Sequence, residues 1–184
     1  MPKHPLGTFV IASAFWLAAA TQITATVFLP ADFTTVVTES EVIVHGRVTA
    51  VTSMLVGPRR TIESFVTLEV IDGLKGVSTR AVTFRVPNGQ VGRYRRILVG
   101  APEFAEGDEV FVFLEGRAPA VPTLFGLSQG VYRVARSNGR TVVAPPVMAR
   151  GTAAERVVRG DPARAPIDID LFAREVRSVL GRVR

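Results

Sequence analysis

A chain of 184 residues, 47% of them apolar, is long enough for one core-bearing domain with short appendages, and its composition is not that of a disordered or fibrous polymer. It contains no cysteine, which excludes disulfides, a thiol nucleophile and any thiolate metal site, so the fold must rest on its core and its hydrogen-bonded ladders. The formal charge of +6 comes almost wholly from arginine, Lys3 and Lys75 being the two lysines, and favours acidic partners.

The chain opens with "MPKHPLG", one lysine and no acid, followed by the uncharged run Thr8–Ala20 and then small residues and threonines. That run falls short of the roughly 20 apolar residues a membrane span needs and ends in alanine, as a secretory leader does. Residues 1–25 are therefore expected to be a signal peptide, cut after Ala20 or Ala25; an uncleaved anchor or a buried helix is the alternative. Its removal takes Lys3 and no acid, leaves no stable membrane span, and places the mature domain outside the cytoplasm, secreted or periplasmic.

Residues 26–143 read as the domain. In "ADFTTVVTESE" Asp32 is placed to cap a short helix with Phe33, Val36 and Val37 on one stripe. From Glu41 the period changes to two. "EVIVHGRVTAV" puts Val42, Val44, Gly46 and Val48 on one parity and Ile43, His45, Arg47 and Thr49 on the other, which predicts one buried and one polar face. "IESFVTLEVI" repeats the alternation with Val66, Leu68 and Val70, and "AVTFRVP" with Val82, Phe84 and Val86. Pro87 and Asn88-Gly89 are expected to make a tight reversal, and Asn138-Gly139 a second, because Asn and Gly accept the positive φ of hairpin turns. "EVFVFLE" is apolar on both parities, as in a central strand covered on both faces. Short strands between Gly-, Pro- and Asn-bearing turns predict an all-β fold, an OB-like barrel, flanked by a short N-terminal helix and a C-terminal amphipathic helix.

Residues 144–167, rich in Pro, Gly, Ala and Arg, read as a linker, and residues 168–184 as the final helix. There Asp168 or Asp170 can accept the first free amides, while Phe172, Val176, Val179, Leu180 and Val183 follow helical spacing. The stripe is expected to clamp onto the barrel; a membrane-surface or partner helix is the alternative.

Four features invite a chemical reading. "GLSQG", Gly126–Gly130, matches the nucleophile-elbow pattern G-x-S-x-G, but an elbow needs a strand-to-helix turn in a parallel sheet with an acid and a histidine downstream. A hairpin-like stretch follows instead, and the only histidine beyond the leader, His45, lies upstream. The glycines are expected to bend or bulge a strand, and a serine hydrolase using Ser128 with His45 is the alternative function. His45, without a second histidine beyond the leader, is expected to be a partly exposed strand residue rather than a metal ligand. The acids Glu103, Glu106, Asp108 and Glu109 do not match an EF-hand loop and read as a solvated turn.

The strongest binding candidate is "GRYRRILV", in which Arg93, Arg95 and Arg96 surround Tyr94, guanidinium groups suited to phosphate or carboxylate; a plain solvated strand face is the alternative. Export argues against nucleic acid, so the expected partner is an extracytoplasmic protein or an acidic polymer. No catalytic residue, cofactor or metal is expected.

The succession "ESEVIVHGRVTAV", "FVTLEVIDGLKG", "VTFRVP" and "GDEVFVFL", with its Lys75-Gly76 turn, resembles the netrin-like barrel of tissue inhibitors of metalloproteinases and of related exported bacterial proteins over roughly Phe33 to Val134. The resemblance implies an OB-like barrel with flanking helices. The inhibitors' zinc-chelating amino-terminal cysteine has no counterpart here, so their chemistry does not carry over. The function this leaves is an exported, non-enzymatic binding or interaction module.

N-terminal sequencing of exported material should find a chain beginning near Thr21 or Thr26; Met1 retained in a membrane fraction would refute the cleaved leader.

Overall fold

A computed structural model describes residues 31–116, 119–148, 158–159 and 165–182. The expected signal peptide, 1–25, and Val183 of the expected helical stripe lie outside the described residues.

Helix α1 (Phe33–Glu39) begins where Asp32 Oδ1 accepts the Thr35 amide at 2.8 Å. That bond is the main reason the exposed Asp32 carboxyl is held below its ordinary pKa. The helix ends where the Ser40 hydroxyl returns to the Val36 carbonyl at 2.7 Å and the Lys75 ammonium donates to the Thr38 carbonyl at 2.9 Å, satisfying acceptors that have no partner within the helix.

The strands follow in the order β1 (Val42–Val56), β2 (Thr61–Lys75), β3 (Ala81–Val86), β4 (Gly89–Val91), β5 (Tyr94–Arg96), β6 (Glu109–Glu115), β7 (Thr123–Leu124), β8 (Val131–Ser137), β9 (Arg140–Ala144), β10 (Val147–Met148), β11 (Val158–Arg159) and β12 (Ile167–Asp168), ahead of helix α2 (Ile169–Arg182). β1 pairs antiparallel with β2 and β6, β2 with β3 and β6 with β7, while β3 meets β7 in parallel at Arg85 and Thr123. The circuit β1-β2-β3-β7-β6 closes on itself as a small five-stranded barrel, consistent with an OB-like barrel. The sheet continues from β6 through β8 and β9 to β12.

Two cores share β1 and β6. The barrel interior holds Val44, Val48, Val66, Leu68, Phe84, Val86, Val110, Val112 and Leu114. On the outer side, Ile43, Phe111, Phe113 and Tyr132 pack against Phe33, Val36 and Val37 of α1 and Phe172, Val176 and Val179 of α2. β6 is therefore apolar on both parities because each parity fills a different core, as its sequence predicts. The same geometry corrects the reading of His45, which is buried at 8% exposure: at the start of β1 the second parity, Ile43 and His45, lies on the outer-core side, while Arg47 and Thr49 further along it are exposed as expected.

Turn chemistry divides in the same way. Asn138 (φ 51°) and Gly139 (φ 76°) form the two-residue turn of the β8–β9 hairpin, as expected. Asn88-Gly89 does not reverse the chain; the β4–β5 hairpin turns at Gly92-Arg93, and Asn88-Gly89 links β3 to β4. Within 144–167, β10 pairs with β11, and β12 at its end adds to β9.

In α2 the Asp168 carboxylate accepts the Asp170 amide at 2.9 Å, and Arg177 forms an ion pair with Asp72 of β2. Phe172, 1% exposed, lies 4.8 Å from Phe111, 4.9 Å from Tyr132 and 5.6 Å from Phe33 between ring centroids. The final helix thus docks its stripe on the barrel. Phe172→Ala should cost about 3 to 5 kcal/mol, a large share of the roughly 5 to 15 kcal/mol of a whole domain. Urea denaturation reads that loss, and deletion of Asp168 to Arg184 should lower the melting temperature; melting unchanged by the deletion would refute the clamp.

Candidate functional site

β1 and β2 are each 15 residues long, and their distal halves, Ala50–Val56 against Thr61–Thr67, run beyond the pairing of β1 with β6. On that overhang sits the β4–β5 hairpin. Beneath it lies a cleft of ≈ 400 Å³ that Ser53, Ser64, Gln90, Arg95, Arg96 and Phe104 help to line. Its polar floor is ordered in one direction: the Gln90 amide donates to the Ser53 hydroxyl (3.3 Å), Ser53 to the Ser64 hydroxyl (3.0 Å) and Ser64 to the Asn88 carbonyl (2.8 Å). Since Ser64 gives its only proton to Asn88, the proton between the two serines must come from Ser53. Glycine is required at 89: its φ is +141°, and a Cβ there would lie 2.5 Å from both serine hydroxyls.

The four residues singled out in the sequence are all on this hairpin but face different tasks. Arg93, in the turn, lies over the Tyr94 ring at 5.1 Å and donates to its hydroxyl at 3.0 Å. Tyr94 itself is 63% exposed. Arg95 pairs with Glu103 across the cleft at 2.7 Å, and Arg96 donates to the Ile62 carbonyl at 3.2 Å, fastening the hairpin to β2. Arg93, Tyr94 and Arg95 are thus presented outward, while Arg96 is half-buried and structural.

The expected solvated acidic turn is present, exposed at Glu106-Gly107, and three of its four acids also form ion pairs. Besides Glu103 with Arg95, Asp108 meets Arg133 at 2.8 Å, and Arg133 also donates to the Glu103 carbonyl and lies over the Phe104 ring at 5.4 Å. Glu109 accepts from Arg47 at 3.0 Å and from His45 Nε2 at 2.9 Å, and the His45 ring stacks on Phe111 at 4.3 Å. An ionised carboxylate can only accept, so Nε2 carries the hydrogen of that bond. Among the described residues no group of three or more His, Asp or Glu is placed to hold a metal ion.

Gly126–Gly130 lies between β7 and β8, with a single 3₁₀ turn over Leu127–Gly130. Gly126 and Leu127 are left-handed at φ 49° and 57°, and a Cβ on Gly130 would fall 2.6 Å from the Phe113 carbonyl, which accounts for both glycines of the motif. Its buried member, Gln129, takes the Ala31 amide at 2.7 Å. Ser128 is on a connection between strands rather than a strand-to-helix elbow, and among the described residues no hydrogen bond joins it to His45.

Sequence reasoning missed Ser53 and Ser64. Ser64 carried a signal, as a polar interruption of the apolar parity of Ile62, Val66 and Leu68; Ser53 falls on the parity of His45, Arg47 and Thr49, and only the register shift between Val48 and Ala50 brings it opposite Ser64. No protein-family model, characterised protein or solved structure matches the chain.

Burial alone would raise the Glu109 pKa, but the hydrogen bonds from Arg47 and His45 outweigh it and hold the group below its ordinary 4.5. Because the folded value is the lower one, this carboxylate stabilises the fold above the ordinary value, and the contribution disappears as pH falls through the folded value. Urea midpoints of the parent and Glu109→Gln, followed from about pH 7 down to about pH 2, should differ most at neutral pH and converge in acid; a constant difference would refute the assignment.

Proposed function

We propose that the chain is an exported, non-enzymatic binding module on a netrin-like form of the OB-like barrel, with the β4–β5 hairpin as its binding face and an acidic extracytoplasmic protein or polymer as its partner. The observation that carries this reading is the outward display of Arg93, Tyr94 and Arg95 on a hairpin that contributes to neither core. Export rests on the leader-like run Thr8–Ala20, and it removes cellular nucleic acid as a partner.

The hairpin's arginines can exchange partners at low cost. The Arg95–Glu103 pair is exposed on both sides, and such a pair is worth only about 0 to 1 kcal/mol, so an incoming carboxylate, sulfate or phosphate competes for the guanidinium readily. The serine chain and Gln90 beneath add neutral hydrogen-bonding groups, and Phe104 an apolar wall, to the same cleft.

Immobilised heparin is a suitable acidic probe. Arg93→Ser combined with Arg95→Ser should weaken binding about tenfold or more, since a hydrogen bond to a charged group is worth about 1.5 to 3 kcal/mol. Arg136→Ser combined with Arg140→Ser removes equal charge from the β8–β9 hairpin and should lower elution salt only slightly. Equal effects of the two pairs would reduce the interaction to net charge and refute the site. Covalent labelling of folded chain at Ser128 by a fluorophosphonate would overturn the non-enzymatic assignment.

A further inference from the structure

Beyond β5 the chain leaves the barrel without covering its apolar side chains. Ile97 is 71% and Val99 82% exposed, Leu98 is also exposed, and with Tyr94 they place four apolar residues within positions 94–99. Isolated exposed apolar residues are ordinary on soluble proteins, whereas a contiguous group rimmed by charge marks a contact surface.

The segment is held in place. The Ala101 amide returns to the Leu98 carbonyl at 3.0 Å, and Asn88 Nδ2 donates to the Pro102 carbonyl at 2.8 Å, tying the far end of the loop to the base of the hairpin. Arg95 lines the same cleft as Ile97 and Leu98 and pairs there with Glu103, and Arg93, in the turn ahead of β5, lies over the Tyr94 ring. On the neighbouring overhang, Met54 and Leu55 are exposed near the end of β1, and Arg59 and Arg60 are exposed in the turn that follows.

We infer that the hairpin has a further acidic partner, an anionic lipid surface, with Arg93 and Arg95 on the headgroup phosphates, Tyr94 at headgroup depth, and Ile97 and Val99 inserted among the upper acyl carbons. This rests on the hairpin being the binding face, as proposed above. A soluble acidic polymer would engage the guanidinium groups and leave Ile97 and Val99 in water. A bilayer offers both halves of what the segment displays: negative charge at the surface and a hydrocarbon layer just below it. Arginine and tyrosine suit the boundary because their apolar bodies can lie deeper than their polar ends.

The absence of cysteine makes the test site-specific: Val99→Cys carrying the environment-sensitive fluorophore NBD reports residue 99 and not the apolar run at Thr8–Ala20. On full-length chain, emission should rise several-fold and shift to the blue with phosphatidylglycerol vesicles, and stay unchanged with pure phosphatidylcholine vesicles or dissolved heparin. Adding Arg93→Ser and Arg95→Ser should abolish the response, and Ile97→Ser should weaken vesicle binding several-fold while leaving heparin elution unchanged. A fluorophore that stays in water on anionic vesicles, with arginine-dependent heparin binding intact, overturns the lipid inference and leaves the acidic-partner reading standing. Loss of both vesicle and heparin binding as properties of the parent chain overturns the two together.

Discussion

The two-sided burial of β6 is the constraint on which the rest of the structure depends. Val110 to Leu114 are five consecutive residues with no exposed surface, their side chains passing alternately into the barrel and into the layer beneath the helices. A slip of one residue would exchange the two sets, driving Phe111 and Phe113 into a barrel lined by valines, so the register against β1, from Val42 opposite Leu114 to Arg47 opposite Glu109, is strongly specified. That register also delivers the polar cluster. Arg47 comes to lie across from Glu109, and His45 across from the ring on which it stacks.

The proposed binding face arises where this constraint ends. Past Arg47, β1 no longer borders β6; it continues against β2, which β3 flanks as far as Ser64, and Met54–Val56 with Thr61–Glu63 run on as a two-stranded ribbon. An isolated ribbon is marginal in water, and here the β4–β5 hairpin is fastened across it by the Gln90 amide on the Ser53 hydroxyl and the Arg96 bond to the Ile62 carbonyl. The cleft is the space left between ribbon and hairpin. Its walls are therefore held by hydrogen bonds rather than by a packed core, and its rim carries exposed side chains that neither core constrains.

Legibility in the sequence followed the number of faces each strand buries. β3 and most of β2 bury one face, and their alternation located the core residues directly; β6 buries two and showed it in an unbroken apolar run. β1 buries two over part of its length while keeping a polar-looking parity, and that is why His45 was read as surface: its cover comes from Phe111, 66 positions away. The grouping of Arg93 to Arg96 was legible as a basic cluster, but which arginine faces out depends on where β2 offers a free carbonyl. Asn88-Gly89 carried genuine turn chemistry, used for passing beneath Ser53 and Ser64 rather than for a hairpin. Strands of two residues, such as those in 144–167, are too short to carry any period and exist only through their partners.

The outer core joins the two ends of the described chain, with Phe33 of α1 against Phe172 of α2. A polypeptide made from its amino terminus can pair β1 with β2 early, but it cannot seal this layer until α2 has emerged. Until then the outer faces of β1 and β6 and the stripe of α1 remain wet. Sealing of the outer core thus waits on the arrival of α2, and the interval before it is the most aggregation-prone moment of folding.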